Sequence, residues 1–280
     1  MSGPAGRLAD VHQHLWPEQF IRALEARRDP PRLRGNRLDL PLEGSFEIQL
    51  RDHDVDVRLR ALDRQEIDVA VVSLPPTLGP TPELLDAYHE GALGLPADSG
   101  GRLVALATGR VLDGFAGTCV SAEALLDLDA LAPIAEEVVE RGGFLFVHPG
   151  PAASPPGAPA WWSAVVGYTE QMQEAYFAWL AGGIARWPDL RVLFAILAGG
   201  APVQLDRLRS RGGDPAAAAG PGIYLDTASY GRRALELCDP AQLVYGSDLP
   251  VIDAEPTRAA VRSLGLEREV CVENPARLLG

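Results

Sequence analysis

Eight short β-branched or aliphatic runs, bounded by Gly, Pro, Asp or Ser and separated by longer stretches, constrain this chain more than any other feature. The runs are Leu8–Val11, Val69–Leu74, Leu103–Ala107, Phe115–Val120, Phe144–Val147, Val192–Leu197, Ile223–Leu225 and Leu243–Tyr245. Between them lie helical patterns such as Leu131–Arg141, where Leu131, Ile134, Ala135, Val138 and Val139 trace one stripe. Tyr168–Arg186, Gln204–Arg209 and Arg258–Leu264 read likewise. Strands alternating with helices build βα units on a parallel sheet, and eight such units close a ring. The expected fold is therefore α/β, a (β/α)8 TIM barrel.

One connection departs from the pattern. About seven residues, Thr108–Gly114, join the third and fourth runs, too few for a crossover helix. The third helix is expected to be absent, although an extended segment at roughly 3.3–3.6 Å per residue still spans a strand. The two longest stretches read as irregular, Leu15–Asp56 and Pro149–Val166, are rich in Pro, Gly and Arg, and barrels build their active sites from such loops. There is no internal repeat, and Ala216–Pro221 reads as a short low-complexity turn. The expectation is one metal-dependent-hydrolase-type barrel domain over 1–280.

A net charge of −13 argues against nucleic acid and membrane as partners, since both need a clustered basic face. Met1–Gly6 lacks the layout of a secretory signal and no apolar run approaches the roughly 18 residues of a membrane span, so a soluble cytoplasmic protein is expected. Cys119, Cys238 and Cys271 stand far apart among apolar neighbours and read as structural thiols. All 25 basic residues are arginine. Without an ε-amine there is no Schiff base, no P-loop lysine and no lysine carbamate bridging two metals, so any metal site should hold a single ion.

Asp10-Val-His-Gln-His14 ends the first run with two histidines two residues apart. On a strand that spacing turns both imidazoles to one face, about 7 Å apart along the chain, where they can converge on an ion. His148 ends the fifth run before Pro149-Gly150, and Asp248 follows the eighth in Gly246-Ser-Asp-Leu-Pro250. A carboxylate at a strand end needs a cation or several donors. Three imidazoles and one carboxylate suit Zn2+, with Mn2+ or Fe2+ as alternatives. The competing reading is four unrelated strand-end polar residues.

These motifs, with Phe146-Val-His-Pro-Gly150, Pro188-Asp-Leu-Arg-Val192, Gly199-Gly-Ala-Pro202 and Glu273-Asn-Pro-Ala-Arg-Leu-Leu279, resemble the amidohydrolase superfamily over essentially the whole chain. The likeness is to the amidohydrolase-related group that includes aminocarboxymuconate semialdehyde decarboxylase and γ-resorcylate decarboxylase. It implies that His12, His14 and His148 are metal ligands, and that Asp248 both binds metal and shuttles a proton. It also implies a homodimer. The departure is on the sixth run, where the family carries a histidine that activates water and stabilises an oxyanion; here that position is Ile196.

Three functions follow as expectations. The first is hydrolysis of an ester, lactone or amide, with a metal-activated water and Asp248 as proton acceptor. The second is non-oxidative decarboxylation of an aromatic or unsaturated carboxylic acid. The third is a metal-binding pseudoenzyme, because of Ile196. His53, in Leu50-Arg-Asp-His-Asp54, is a candidate for the missing catalytic donor, against the alternative of a solvated loop residue. Arg51 and Arg110 are candidates to neutralise an anionic small-molecule substrate. Trp16, Trp161 and Trp162 form either an aromatic wall for it or hydrophobic loop anchors. Asp226 and Ser229 after the seventh run hydrogen-bond substrate or groups behind the ligands, or simply cap a loop.

Overall fold

The computed structural model describes residues 6–280, so the stretch Met1–Ala5, on which the leader expectation turned, lies outside the described residues. The barrel strands are Ala9–His14, Val69–Ser73, Gly117–Ser121, Phe144–His148, Arg191–Phe194, Ile223–Asp226 and Leu243–Val244, with a third strand split into Leu103–Ala105 and Ala107–Thr108. All neighbours in the ring are parallel. The first piece of the third strand pairs with the second strand, and the other piece pairs with the fourth. Strands one and eight close the ring through Val11 N–H to Tyr245 O at 2.8 Å, Asp248 N–H to His12 O at 2.8 Å and His14 N–H to Leu249 O at 2.7 Å. The chain is a (β/α)8 barrel.

The strands read as near-continuous apolar runs because the ring is covered inside and out. Phe144–His148 is buried throughout, and the strand beside it begins at Gly117, where an added Cβ would lie 2.3 Å from the Phe144 carbonyl oxygen. Helices Leu128–Glu140, Tyr168–Ala178, Leu205–Ser210 and Glu255–Ser263 occupy the stretches whose apolar spacing predicts them. Between Thr108 and Gly117 no helix is found among the described residues, as the short connection requires. None of the helices is long and apolar enough to cross a membrane, again among the described residues.

Two expectations are corrected. Leu15–Asp56 is not irregular: it holds a helix, Glu18–Ala26, a three-stranded antiparallel sheet, Arg32–Arg34, Arg37–Leu40 and Gly44–Glu47, and a tight turn, Leu50–His53. Gly35, at φ 58°, supplies the reversal between the first two of these strands, while Leu33, Leu38 and Leu40 turn inward. The sixth strand stops at Phe194 rather than Leu197. Ile196, Leu197, Ala198, Gly199 and Gly200 then form a left-handed turn, with φ of 47°, 50°, 51°, 62° and 77°. Each non-glycine residue there costs about 1–2 kcal/mol. The turn is held by Asp226, which accepts the Ile196 N–H at 3.0 Å, and by Gln173, which donates to Gly199 O at 2.8 Å.

Candidate metal centre

His12, His14 and His148 meet inside the mouth of the barrel, where they are 1%, 3% and 6% exposed. Each Nδ1–H is spent on a fixed acceptor. His12 donates to Asp226 Oδ2 at 2.8 Å, His14 to the Ser73 carbonyl at 3.0 Å, and His148 to the Pro149 carbonyl at 3.0 Å. Carbonyl and carboxylate oxygens only accept, so these bonds fix the tautomer and leave the three Nε2 lone pairs free for a ligand role. The three rings offer nitrogens that all lie within 4.8 Å of one another. Asp248 Oδ1 joins them, 3.2 Å from His14 Nε2 and 3.5 Å from His12 Nε2. Its residue sits at φ 60°, a strained conformation that places the carboxylate over the rings.

This donor set is built for positive charge. His12 Nε2 and His14 Nε2 are 3.1 Å apart, and two lone pairs at that distance repel unless a proton or a cation lies between them. Burial would lower the pKa of His12, yet the Asp226 and Asp248 carboxylates outweigh it and raise the value to about 9. Burial would raise that of Asp248, but the imidazoles of His12 and His14 hold it below the usual carboxylate range. His148 is held well below the ordinary imidazole value by burial and then by His12 and His14. Nitrogen and carboxylate donors around such a hole fit a divalent first-row ion.

A buried polar frame stands behind the ligands. Asp10 accepts from the His12 N–H at 3.2 Å, Gln13 Nε2 at 2.7 Å and the Ser247 N–H at 3.0 Å, with burial raising its pKa. Arg58, on helix Val55–Arg64, donates to Gln13 Oε1 at 2.7 Å and to the carbonyls of His14 and Asp52 at 3.0 Å. Burial pulls its pKa down to about 10. Asp226, ending the seventh strand, ties in the first through His12 and the sixth through the Ile196 N–H, and its Oδ1 also accepts the Ala228 N–H at 2.9 Å. Gly246 passes so close to His12 and Asp226 that a Cβ would lie 2.8 Å from one Cβ and 3.0 Å from the other.

His53 is not a solvated loop residue. It is buried, stacks on Trp16 at 4.3 Å and 8°, and accepts the Trp16 N–H at Nδ1 at 3.1 Å. Burial, then Arg58 and His14, push its pKa down to about 3, so it is a neutral ring with Nε2–H as its donor. The remaining candidates are not brought to the histidines by any hydrogen bond or ion pair among the described residues. Arg51 is 79% exposed near Asp52, Arg110 is paired with Asp86 and His89, Trp161 stacks on Trp162 at 5.9 Å with its ring largely in solvent, and Ser229 is exposed. Ile196 leaves a partly exposed alkyl chain at the sixth strand end, with its N–H on Asp226.

Sequence reasoning missed Arg58, Ser73 and Glu43. Ser73 acts through its carbonyl, which any residue supplies, and Arg58 is hidden among many surface arginines. Glu43 lies in the stretch read as irregular.

No protein-family model and no curated protein matches the chain. Solved structures do match along its length. Metarhizium anisopliae IDCase in its apo form is 19% identical, with 100% of this chain and 98% of that one covered at a TM-score of 0.75. The 5-carboxyvanillate decarboxylase of Sphingomonas paucimobilis is 16% identical, with 98% of both covered and a TM-score of 0.73. The chain shares its barrel fold with these proteins. A third match with this fold is the 5-carboxyvanillate decarboxylase of Novosphingobium aromaticivorans, complexed with manganese and 4-hydroxy-3-methoxy-5-nitrobenzoic acid. It is 14% identical, covers 98% of this chain and 96% of that one, and has a TM-score of 0.70.

Proposed function

We propose that the chain is a metal-dependent, non-oxidative decarboxylase of a small aromatic or unsaturated carboxylic acid, with His12, His14, His148 and Asp248 as ligands to one divalent ion. The observation that carries the reading is the convergence of three tautomer-locked imidazoles, two of them within 3.5 Å of Asp248. The decarboxylases among the similar structures favour this chemistry over hydrolysis. When bound, the ion, Zn2+ or Mn2+, supplies a positive charge that neutralises and orients the substrate carboxylate.

The remaining work falls to the chain's own side chains. As the bond to the carboxylate breaks and carbon dioxide leaves, the electron pair stays on carbon, which then takes a proton. Asp248, which His12 and His14 hold ionised, would take up a proton from solvent and hand it to that carbon. His53, neutral and buried, offers Nε2–H as a hydrogen-bond donor and takes the positioning part of the absent sixth-strand histidine. Trp16, stacked on it, keeps that ring in place. Hydrolysis of an ester, lactone or amide is the second reading, favoured by the ionised state in which His12 and His14 hold Asp248. We also read the protein as cytoplasmic, supported by three free thiols, Cys119, Cys238 and Cys271, and as a homodimer on the strength of the resemblance alone.

The test is metal content by elemental analysis of protein purified without chelators, with a His12→Ala, His14→Ala double variant as control. About one equivalent per chain, lost in the variant, is expected. Assays of aromatic and unsaturated acids for carbon dioxide release, beside esters, lactones and amides, then separate the two chemistries. Absence of metal after supplementation with zinc or manganese would overturn both, and metal without turnover of any kind would leave a pseudoenzyme.

A further inference from the structure

The three histidines are at most 6% exposed and the Asp248 side chain 15%, so the elements around the barrel mouth leave a narrow approach to the centre. One carboxylate joins two of them. Glu43 lies between the second and third strands of the first-loop sheet. Its Oε2 accepts the Tyr168 hydroxyl at 2.5 Å, and its Oε1 accepts the Ala152 N–H at 3.1 Å. Ala152 is four residues beyond His148 in the fifth loop, and Tyr168 opens the helix that follows that loop.

The loops also meet sterically. A Cβ on Gly79, after the second strand, would lie 3.5 Å from Pro151 and 3.9 Å from Pro41. Gln171 fastens the fifth loop to the same helix, accepting the Gly150 N–H at 2.8 Å and donating to the Pro151 carbonyl at 3.2 Å. The fifth loop is thus fixed on its own helix by Gln171, while its tie to the first-loop sheet runs through Glu43. The two joined loops leave the strands that end at His14 and His148, so the clasp spans segments of the barrel mouth, and burial and Glu43 hold the Tyr168 hydroxyl protonated.

We propose that Glu43 is a positioning residue that clasps the first-loop sheet to the fifth loop and to Tyr168, making a cover through which ligands reach the metal centre only when the clasp opens. The clasp itself stands on the contacts above; its role in access rests on the metal reading. A hydrogen bond to a charged acceptor held away from water is among the stronger single contacts between loops.

The experiment loads the protein and two variants, Glu43→Ala and Tyr168→Phe, with Zn2+ and follows its release to a chromogenic chelator. Loss of the clasp should speed release by about 10-fold or more, with zinc per chain at saturation unchanged. Release at the rate of the unaltered protein in both variants would overturn the proposal. Tyr168→Phe deletes one hydroxyl only, which keeps the test valid should Glu43→Ala misfold. If the unaltered protein takes up neither zinc nor manganese, the metal reading fails by itself. Amide hydrogen exchange over residues 37–47 and 149–158 then judges the clasp: faster exchange in both variants supports it, and unchanged exchange refutes it.

Discussion

Replacing Asp226 by asparagine removes a charge from behind His12 while keeping the volume of the side chain. The carboxylate is fully buried, takes the His12 Nδ1–H at 2.8 Å on one oxygen, and takes the Ile196 and Ala228 N–H groups at 3.0 and 2.9 Å on the other. An amide has one acceptor and one donor end, so it cannot serve both sides. With its oxygen toward His12, the NH2 faces two backbone donors, at a cost of about 1–3 kcal/mol in stability. With its NH2 toward His12, the ring must shift its proton to Nε2 and surrender the lone pair a metal needs. Partners of this kind are worth about 10–100-fold in metal affinity, or roughly 1.4–2.8 kcal/mol. Competition titration of Zn2+ or Mn2+ against a chelator, beside urea denaturation of the metal-free protein, measures both effects. An affinity within about twofold of the unaltered protein, in a variant that remains folded, would refute the role given to Asp226.

Further outcomes follow from the same contacts. Gly246→Ala pushes a methyl group against His12 and Asp226 at 2.8 and 3.0 Å, so it should cost about 1–3 kcal/mol by denaturation and weaken metal uptake in parallel. Arg58→Met leaves Gln13 Oε1 and the His14 and Asp52 carbonyls without their donor, and should cost about 1–3 kcal/mol in the same assay. Ala198→Gly, at φ 51°, should be nearly neutral, within about 0.5 kcal/mol, because relief of left-handed strain offsets glycine's entropy and the lost methyl; in a right-handed helix the change would cost about 1 kcal/mol. His89 has its pKa pushed down from 6.5 to about 4 by burial and then Arg110, so the unfolded chain binds the extra proton between those values. Its contribution is full above pH 6.5, falls as pH drops to about 4, and is flat below. After solvent screening this amounts to about 1–2 kcal/mol, visible as the difference between stability curves of the unaltered protein and His89→Phe.

Much of the centre was legible because its chemistry is written in residue types at strand ends. His12 and His14 share a face by strand periodicity alone, and His148 and Asp248 follow apolar runs that must end at the mouth. The tautomer lock was not legible. Two of its three acceptors are main-chain carbonyls, which leave no mark in sequence, and the third, Asp226, pairs with a residue more than two hundred positions away. The first-loop sheet did leave a mark, since Gly35-Asn36 between Leu33 and the alternating Leu38 and Leu40 is a hairpin signal, masked by surrounding arginines and prolines. The left-handed turn at Ile196–Gly200 reads locally as a strand continuing, because Ile196 and Leu197 suit one, and distant contacts redirect it: the Asp226 and Gln173 bonds and the approach of Gly199 to Thr169.

The split in the third strand divides the wall into a three-stranded arc, carrying His12 and His14, and a longer arc, carrying His148 and Asp226. The arcs join at Leu106 and along the contact of the first and eighth strands. A cation gripped by histidines from both arcs would therefore act as a rivet across a joint. Filling the centre would add one more cross-link between the arcs to the backbone hydrogen bonds that already join them.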